Sequence, residues 1–173
     1  MEIINKMKNK KKVICSFLIV IIFFLLAFFF IKHSSKKIQP KSVANIFVEI
    51  GGQRVKVDLA FTPTEQAQGL SGRKNLASDE GMLFVFNKPD RYSFWMKDMN
   101  FPIDIIWLAP SDGGEDSKMK VDYIKKDATP ESYPETFAPS ANDTTAKYVL
   151  EVSDGFSEKN NLKVGDNVTF SDF

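Results

Sequence analysis

Two kinds of hydrophobic patterning divide this chain. Residues 13–31 (VICSFLIVIIFFLLAFFFI) run nineteen positions without a charge, whereas residues beyond 45 alternate or come in short apolar bursts. At about 1.5 Å per residue the first stretch is long enough to cross a bilayer as one helix. The pattern predicts a basic cytoplasmic tail over residues 1–12, a transmembrane signal anchor over 13–31, a linker over 32–44 and one soluble domain over 45–173. Lys6, Lys8, Lys10, Lys11 and Lys12 precede the span and Lys32, Lys36, Lys37 and Lys41 follow it. That bias favours a cytoplasmic N-terminus and an extracytoplasmic domain. The alternative is a cleaved signal peptide. The run is longer than a usual h-region, however, and its exit, Phe30-Ile31-Lys32-His33, offers no small-residue cleavage site.

The soluble domain reads as many short strands. Ile46, Val48 and Ile50 alternate with polar neighbours, Gly51-Gly52 supplies a two-residue turn, and Val55, Val57, Leu59 and Phe61 resume the alternation, predicting a hairpin. Thr62-Pro63-Thr64-Glu65 starts a helix with a cap, an N1 proline and a capping-box acid, which Gly69 and Gly72 end within two turns. GMLFVF over 81–86 predicts a strand buried on both faces, punctuated by Pro89-Asp90. In the run 91–99, Tyr92, Phe94 and Met96 point one way while Arg91, Ser93, Trp95 and Lys97 point the other.

Further strands are expected over 103–108, through Met119, Val121 and Tyr123, over 147–152 and over 167–170, with a turn at 110–117. Residues 128–145 carry three prolines and no periodicity, so they read as a long loop, of the kind that is functional or mobile. Ser153-Asp154 is positioned to cap a second short helix. The expected fold is mainly β (α+β): a compact antiparallel barrel or barrel-like sandwich with two short helices, preceded by one transmembrane helix.

Several tags occur in a characteristic order: Glu65, Gly69-Leu70 and Arg73; GMLFVF; Ser93-Phe94-Trp95-Met96-Lys97; Pro102-Ile103-Asp104-Ile105; Tyr148-Val149-Leu150-Glu151; and Val164-Gly165-Asp166. In this the chain resembles the DUF192 family, a domain of unknown function, across about residues 45–170. The resemblance implies a compact, mostly β fold in an extracytoplasmic setting and brings no assigned reaction. Many members carry a cysteine pair in the long loop. Here Thr129-Pro130-Glu131-Ser132-Tyr133-Pro134 has none, so a thiol role for that loop does not transfer.

Charge sharpens the division. Residues 1–41 hold nine lysines against one acid, leaving 14 basic and 21 acidic side chains in the remainder, a net of −7. Such a domain is a poor match to nucleic acid. The single cysteine, Cys15, lies in the apolar run and the single histidine, His33, in the linker. Neither a His-based triad nor a thiol nucleophile can therefore be built in the domain, and no metal or other cofactor is expected.

Candidate ligand-binding residues are Arg73, Trp95, Lys97, Asp98, Asp104 and Glu151. Trp95 beside Arg91 and Lys97 would offer an aromatic plate bordered by donors, suited to sugars or peptides. Equally, it would pack beneath the long loop with Lys97 reaching outward. Asp104 interrupts an apolar strand, so it needs a cation or backbone donors, with Arg73 and Lys97 as the expected partners. Glu151, between Leu150 and Val152, is either a site carboxylate or the partner of a nearby base. These features fit a membrane-tethered module, with no catalytic residue assigned, for a cell-envelope glycan or peptide. The alternatives are a carboxylate-dependent hydrolase of envelope polymers, which needs two acids converging in one cleft, and a protein–protein scaffolding domain.

Overall fold

The computed structural model describes residues 46–111, 118–139 and 145–171. The expected tail, anchor and linker lie outside the described residues, as does most of the 110–117 turn. Nine strands are described: β1 (Ile46–Ile50), β2 (Gln53–Ala60), β3 (Glu80–Asp90), β4 (Phe94–Trp95), β5 (Ile103–Pro110), β6 (Lys118–Ala128), β7 (Thr136–Phe137), β8 (Ala146–Ser153) and β9 (Asn167–Ser171). Two short helices, α1 (Pro63–Gln68) and α2 (Phe156–Lys159), and a 3-10 turn (Pro130–Ser132) complete them.

Seven strands close into a barrel in the order β1-β2-β3-β8-β5-β6-β9, and β4 pairs with β7 in a separate small sheet. The β1–β2 hairpin turns at Gly51 and Gly52, whose φ values of 58° and 73° are the double left-handed pair that a tight hairpin needs. One pair departs from the antiparallel expectation. Strands β2 and β3 run parallel, Lys56 facing Glu80 and Ala60 facing Phe84. A parallel pair needs a crossover, and α1 lies within it.

That helix is held as its residues predict. The Glu65 N–H donates to Thr62 Oγ1 at 3.2 Å, and Glu65 Oε2 accepts the Thr62 N–H at 2.8 Å. Helix α2 differs from expectation. It begins after Gly155, in the left-handed region at φ 73°, with no side-chain cap from Ser153 or Asp154. Strand β3 also runs through Pro89 to Asp90 where a break was expected.

Alternation sorts the apolar side chains into two layers. Val48, Ile50, Val55, Val57, Leu83, Ile106, Leu108, Leu150 and Val152 form one buried cluster, the barrel interior. Met82, Phe84, Ile103, Ile105, Trp107 and Val149 face the other way and pack with Leu70, Phe94, Met96 and Phe137. The outer face of β3, β8 and β5 is therefore covered by a second layer from the 91–101 segment and β7. The stretch expected as an aperiodic loop thus contains β7, whose Phe137 pairs with Phe94 of β4.

Candidate functional site

The covering layer leaves a cavity of about 320 Å³. Its position follows from Glu151. In β8, Glu151 stands opposite Met82 of β3 on one side and Ile105 of β5 on the other, both members of the outer layer. Its neighbours Leu150 and Val152 fill the barrel interior, so period-two alternation sends the Glu151 side chain outward. There it is roofed by Gly69 at the end of α1 and by the Phe84 ring. A Cβ on Gly69 would sit 3.3 Å from Phe84 Cζ and 3.8 Å from Glu151 Oε2. Gly69 has φ 49° and ψ −135°, a conformation open to glycine, so both the backbone path and the close approach call for this residue.

Glu151 is 5% exposed, and its Oε2 has no hydrogen-bond partner. Burial pushes its pKa up to about 8, opposed only by the positive charge of Arg73. At neutral pH the group is thus mainly a carboxylic acid, able to donate as well as accept.

Five aromatic side chains, Phe84, Phe86, Tyr92, Phe94 and Trp95, line the walls. Phe86 and Tyr92 stack with centroids 3.4 Å apart and planes 9° from parallel, and Phe84 meets Phe94 edge-on at 4.8 Å. Trp95 lines the mouth and is 49% exposed. Gln66 and Gln68 of α1, Ser71, Ser93 and Thr136 supply polar edges. Gln66 is anchored by donating Nε2 to the Val85 carbonyl at 3.0 Å, which ties α1 to β3 across the cavity wall.

Of the residues singled out from sequence, Trp95 and Glu151 line this cavity. The 91–97 alternation is as read: Phe94 and Met96 are buried, and Arg91, Ser93, Trp95 and Lys97 are exposed. Arg73 lines a separate, smaller recess of about 130 Å³ and bonds Asp58 Oδ2 at 2.8 Å. Lys97 and Asp98 are exposed and outside the cavity lining. Their backbone carbonyls accept the Ser71 hydroxyl and the Gly72 N–H, at 2.8 and 2.9 Å.

Asp104 corrects the expectation most clearly. It pairs with neither Arg73 nor Lys97. Its Oδ1 accepts the Asp127 N–H at 3.0 Å and its Oδ2 the Ser157 N–H at 2.8 Å. It stands opposite Val152, an interior residue, and so faces away from Glu151. Among the described residues, no three His, Cys, Asp or Glu side chains group as a metal site.

Sequence reasoning missed Gly69, Phe84, Phe86 and Tyr92 as site residues. Tyr92 and Phe94 were legible as one face of a run, but nothing local says that a cavity opens above Glu151. Among solved structures, the chain is similar to a protein of unknown function from Novosphingobium aromaticivorans, at 32% identity and TM-score 0.59. That match covers 71% of this chain and 81% of the other. It is also similar to a protein from Sinorhizobium meliloti described as a candidate transcription regulator, at 26% identity and TM-score 0.61, covering 72% and 91%. No curated protein matches significantly in sequence. The family model DUF192, described as an uncharacterized ACR, matches residues 46–170, from the first residue of β1 to within one residue of the end of β9. The chain belongs to the DUF192 family.

Proposed function

We propose that this protein is a membrane-anchored, extracytoplasmic binding module whose cavity beside Trp95 takes one ring or side chain of a cell-envelope glycan or peptide. The observation that carries the binding reading is the joint placement of a half-exposed indole and a buried, unpartnered carboxyl around a single aromatic cavity. Ligand sites are typically apolar hollows of about 300–1,000 Å³ with few polar groups, and this one is at the small end. The uncharged stretch over 13–31 supports the anchor.

A hydrolase of the two-carboxylate kind is disfavoured by the geometry. Asp104 and Glu151 face opposite sides of the sheet, and Asp98 is outside the cavity lining. The description of the Sinorhizobium relative would suggest nucleic acid, but a net charge of −7 beyond residue 41 argues for another ligand.

The test is a binding screen of the full-length chain against glycans, peptides and peptidoglycan fragments, wild type beside Trp95→Ala. An exposed side chain contributes little to folding, so the variant should keep its stability to within about 0.5 kcal/mol while losing binding. Equal binding by both proteins, or no ligand in the screen, would remove the case for this site.

A further inference from the structure

We infer that the cavity recognises an organic ammonium group, with the aromatic rings as its cage and Glu151 as its counter-ion. This deepens the binding reading above and rests on it.

Three observations converge. First, Glu151 is buried at the cavity floor with Oε2 unpartnered, although buried polar groups are almost always satisfied. A ligand cation is the partner that would repay its desolvation most fully. Second, five aromatic side chains line the cavity. Trp95 at the mouth, with Phe84, Phe86, Tyr92 and Phe94 along the walls, supplies aromatic rings of the kind that attract ammonium ions. Third, the part of the chain beyond residue 41 is net acidic, which favours the approach of a cation.

The surroundings of Glu151 are otherwise nearly uncharged. Met82 and Ile105 flank it from β3 and β5, and α1 presents Gln66 and Gln68. Arg73 is the one charged group acting on it, and that guanidinium is bonded to Asp58. Tyr92 is the other titratable side chain lining the cavity. Burial, and then the charge of Asp90, raise its pKa further, so it stays neutral near pH 7.

Binding then has a proton attached. The empty site holds a carboxylic acid, the occupied site an ion pair, and the Glu151 proton passes to water as the ammonium enters. Affinity for ammonium should rise about tenfold per pH unit well below the pKa of Glu151, and level off near pH 8.

A free amine and a peptide lysine share this chemistry, so two probe pairs are titrated calorimetrically into the full-length chain. One is phenethylamine against 2-phenylethanol. The other is Nα-acetyl-lysine methylamide against its 6-hydroxynorleucine counterpart. At least one amine should bind about tenfold or more tighter than its alcohol at pH 7.5, releasing a proton that appears as a buffer-dependent heat. The pair showing the preference identifies the source. Glu151→Gln, isosteric with the neutral acid, should erase the preference and the pH slope. Equal, pH-independent binding of amine and alcohol that Trp95→Ala weakens would overturn the ammonium inference and leave the binding site standing. Binding by neither member of either pair would also overturn it, with the site itself then decided by the glycan and peptide screen.

Discussion

The Oδ2 of Asp104 in β5 accepts the backbone N–H of Ser157 at 2.8 Å, fastening the first turn of α2 to the barrel. Its Oδ1 does the same for Asp127 of β6 at 3.0 Å. One carboxylate thus satisfies two backbone donors in separate elements, at a residue only 1% exposed. Sequence neighbours alone make Asp104 look like a fault in an apolar strand; in the fold it is a clamp.

Asp104→Ala should therefore be severe. It strands two donors, one of them buried, and hydrogen bonds to a charged acceptor are worth about 1.5–3 kcal/mol each. A loss of at least about 3 kcal/mol is expected, read as a lower urea midpoint. Asp104→Asn keeps one acceptor and should lose less. Equal stability of Asp104→Ala and wild type would show that the clamp contributes nothing.

Glu151 links stability to pH. Its pKa is about 8 in the folded chain against an ordinary 4.5, so between those values the folded state holds more protons than the unfolded one. Its contribution is complete below pH 4.5, falls as pH rises towards 8, and is constant above. The slope within that window is at most about 1.4 kcal/mol per pH unit. Other carboxylates titrate too, so the informative quantity is wild type against Glu151→Gln. The variant should gain relative stability steadily from pH 5 to 8, and parallel melting curves across that range would contradict the shift.

At Gly81, β3 leaves no room for a side chain beside β8. A Cβ there would lie 2.7 Å from the Glu151 carbonyl oxygen, a backbone atom that cannot swing aside. Gly81→Ala should cost about 1–3 kcal/mol through forced separation of the strands, measured as a reduced melting temperature. An unchanged melting temperature would mean that the pair opens without penalty.

Two glycines separate backbone strain from cavity shape. Gly69→Ala and Gly72→Ala both place a side chain at positive φ, 49° and 77°, at a cost of about 1–3 kcal/mol each. Only at Gly69 does the new methyl approach Phe84 and Glu151, whereas nothing lies within 4 Å at Gly72. Any ligand of the cavity should thus be weakened by the first substitution and unaffected by the second, measured on proteins confirmed as folded by circular dichroism.

Much of the fold was legible because its determinants are local. The Gly51-Gly52 turn, the Thr62–Glu65 box and the burial of Gly81–Phe84 each depend on neighbours within a few positions. Barrel closure was expected only as a class, since the β1–β9 and β6–β9 pairings join segments far apart in the chain. The parallel β2–β3 pair was hidden for the same reason. At the site, Trp95 and Glu151 were visible as unusual residues in their strands, but their partners were not. Arg73 found Asp58 where Asp104 had been expected, because a long flexible side chain takes whichever carboxylate the fold brings near. Gly69 reads as a helix terminator, and its second task, making room above a carboxyl, has no signature in sequence.

The two tryptophans of the chain occupy opposite surroundings. Trp107 is sealed in the outer layer, 0% exposed, with its indole N–H donating to the Tyr92 carbonyl at 2.9 Å, while Trp95 stands half in water at the mouth of the cavity. The protein therefore carries its own pair of optical reporters. Collisional quenchers should reach Trp95 alone, so a guest shields one indole, whereas loss of tertiary structure exposes the other. A single fluorescence experiment can then tell occupancy from denaturation without any attached label.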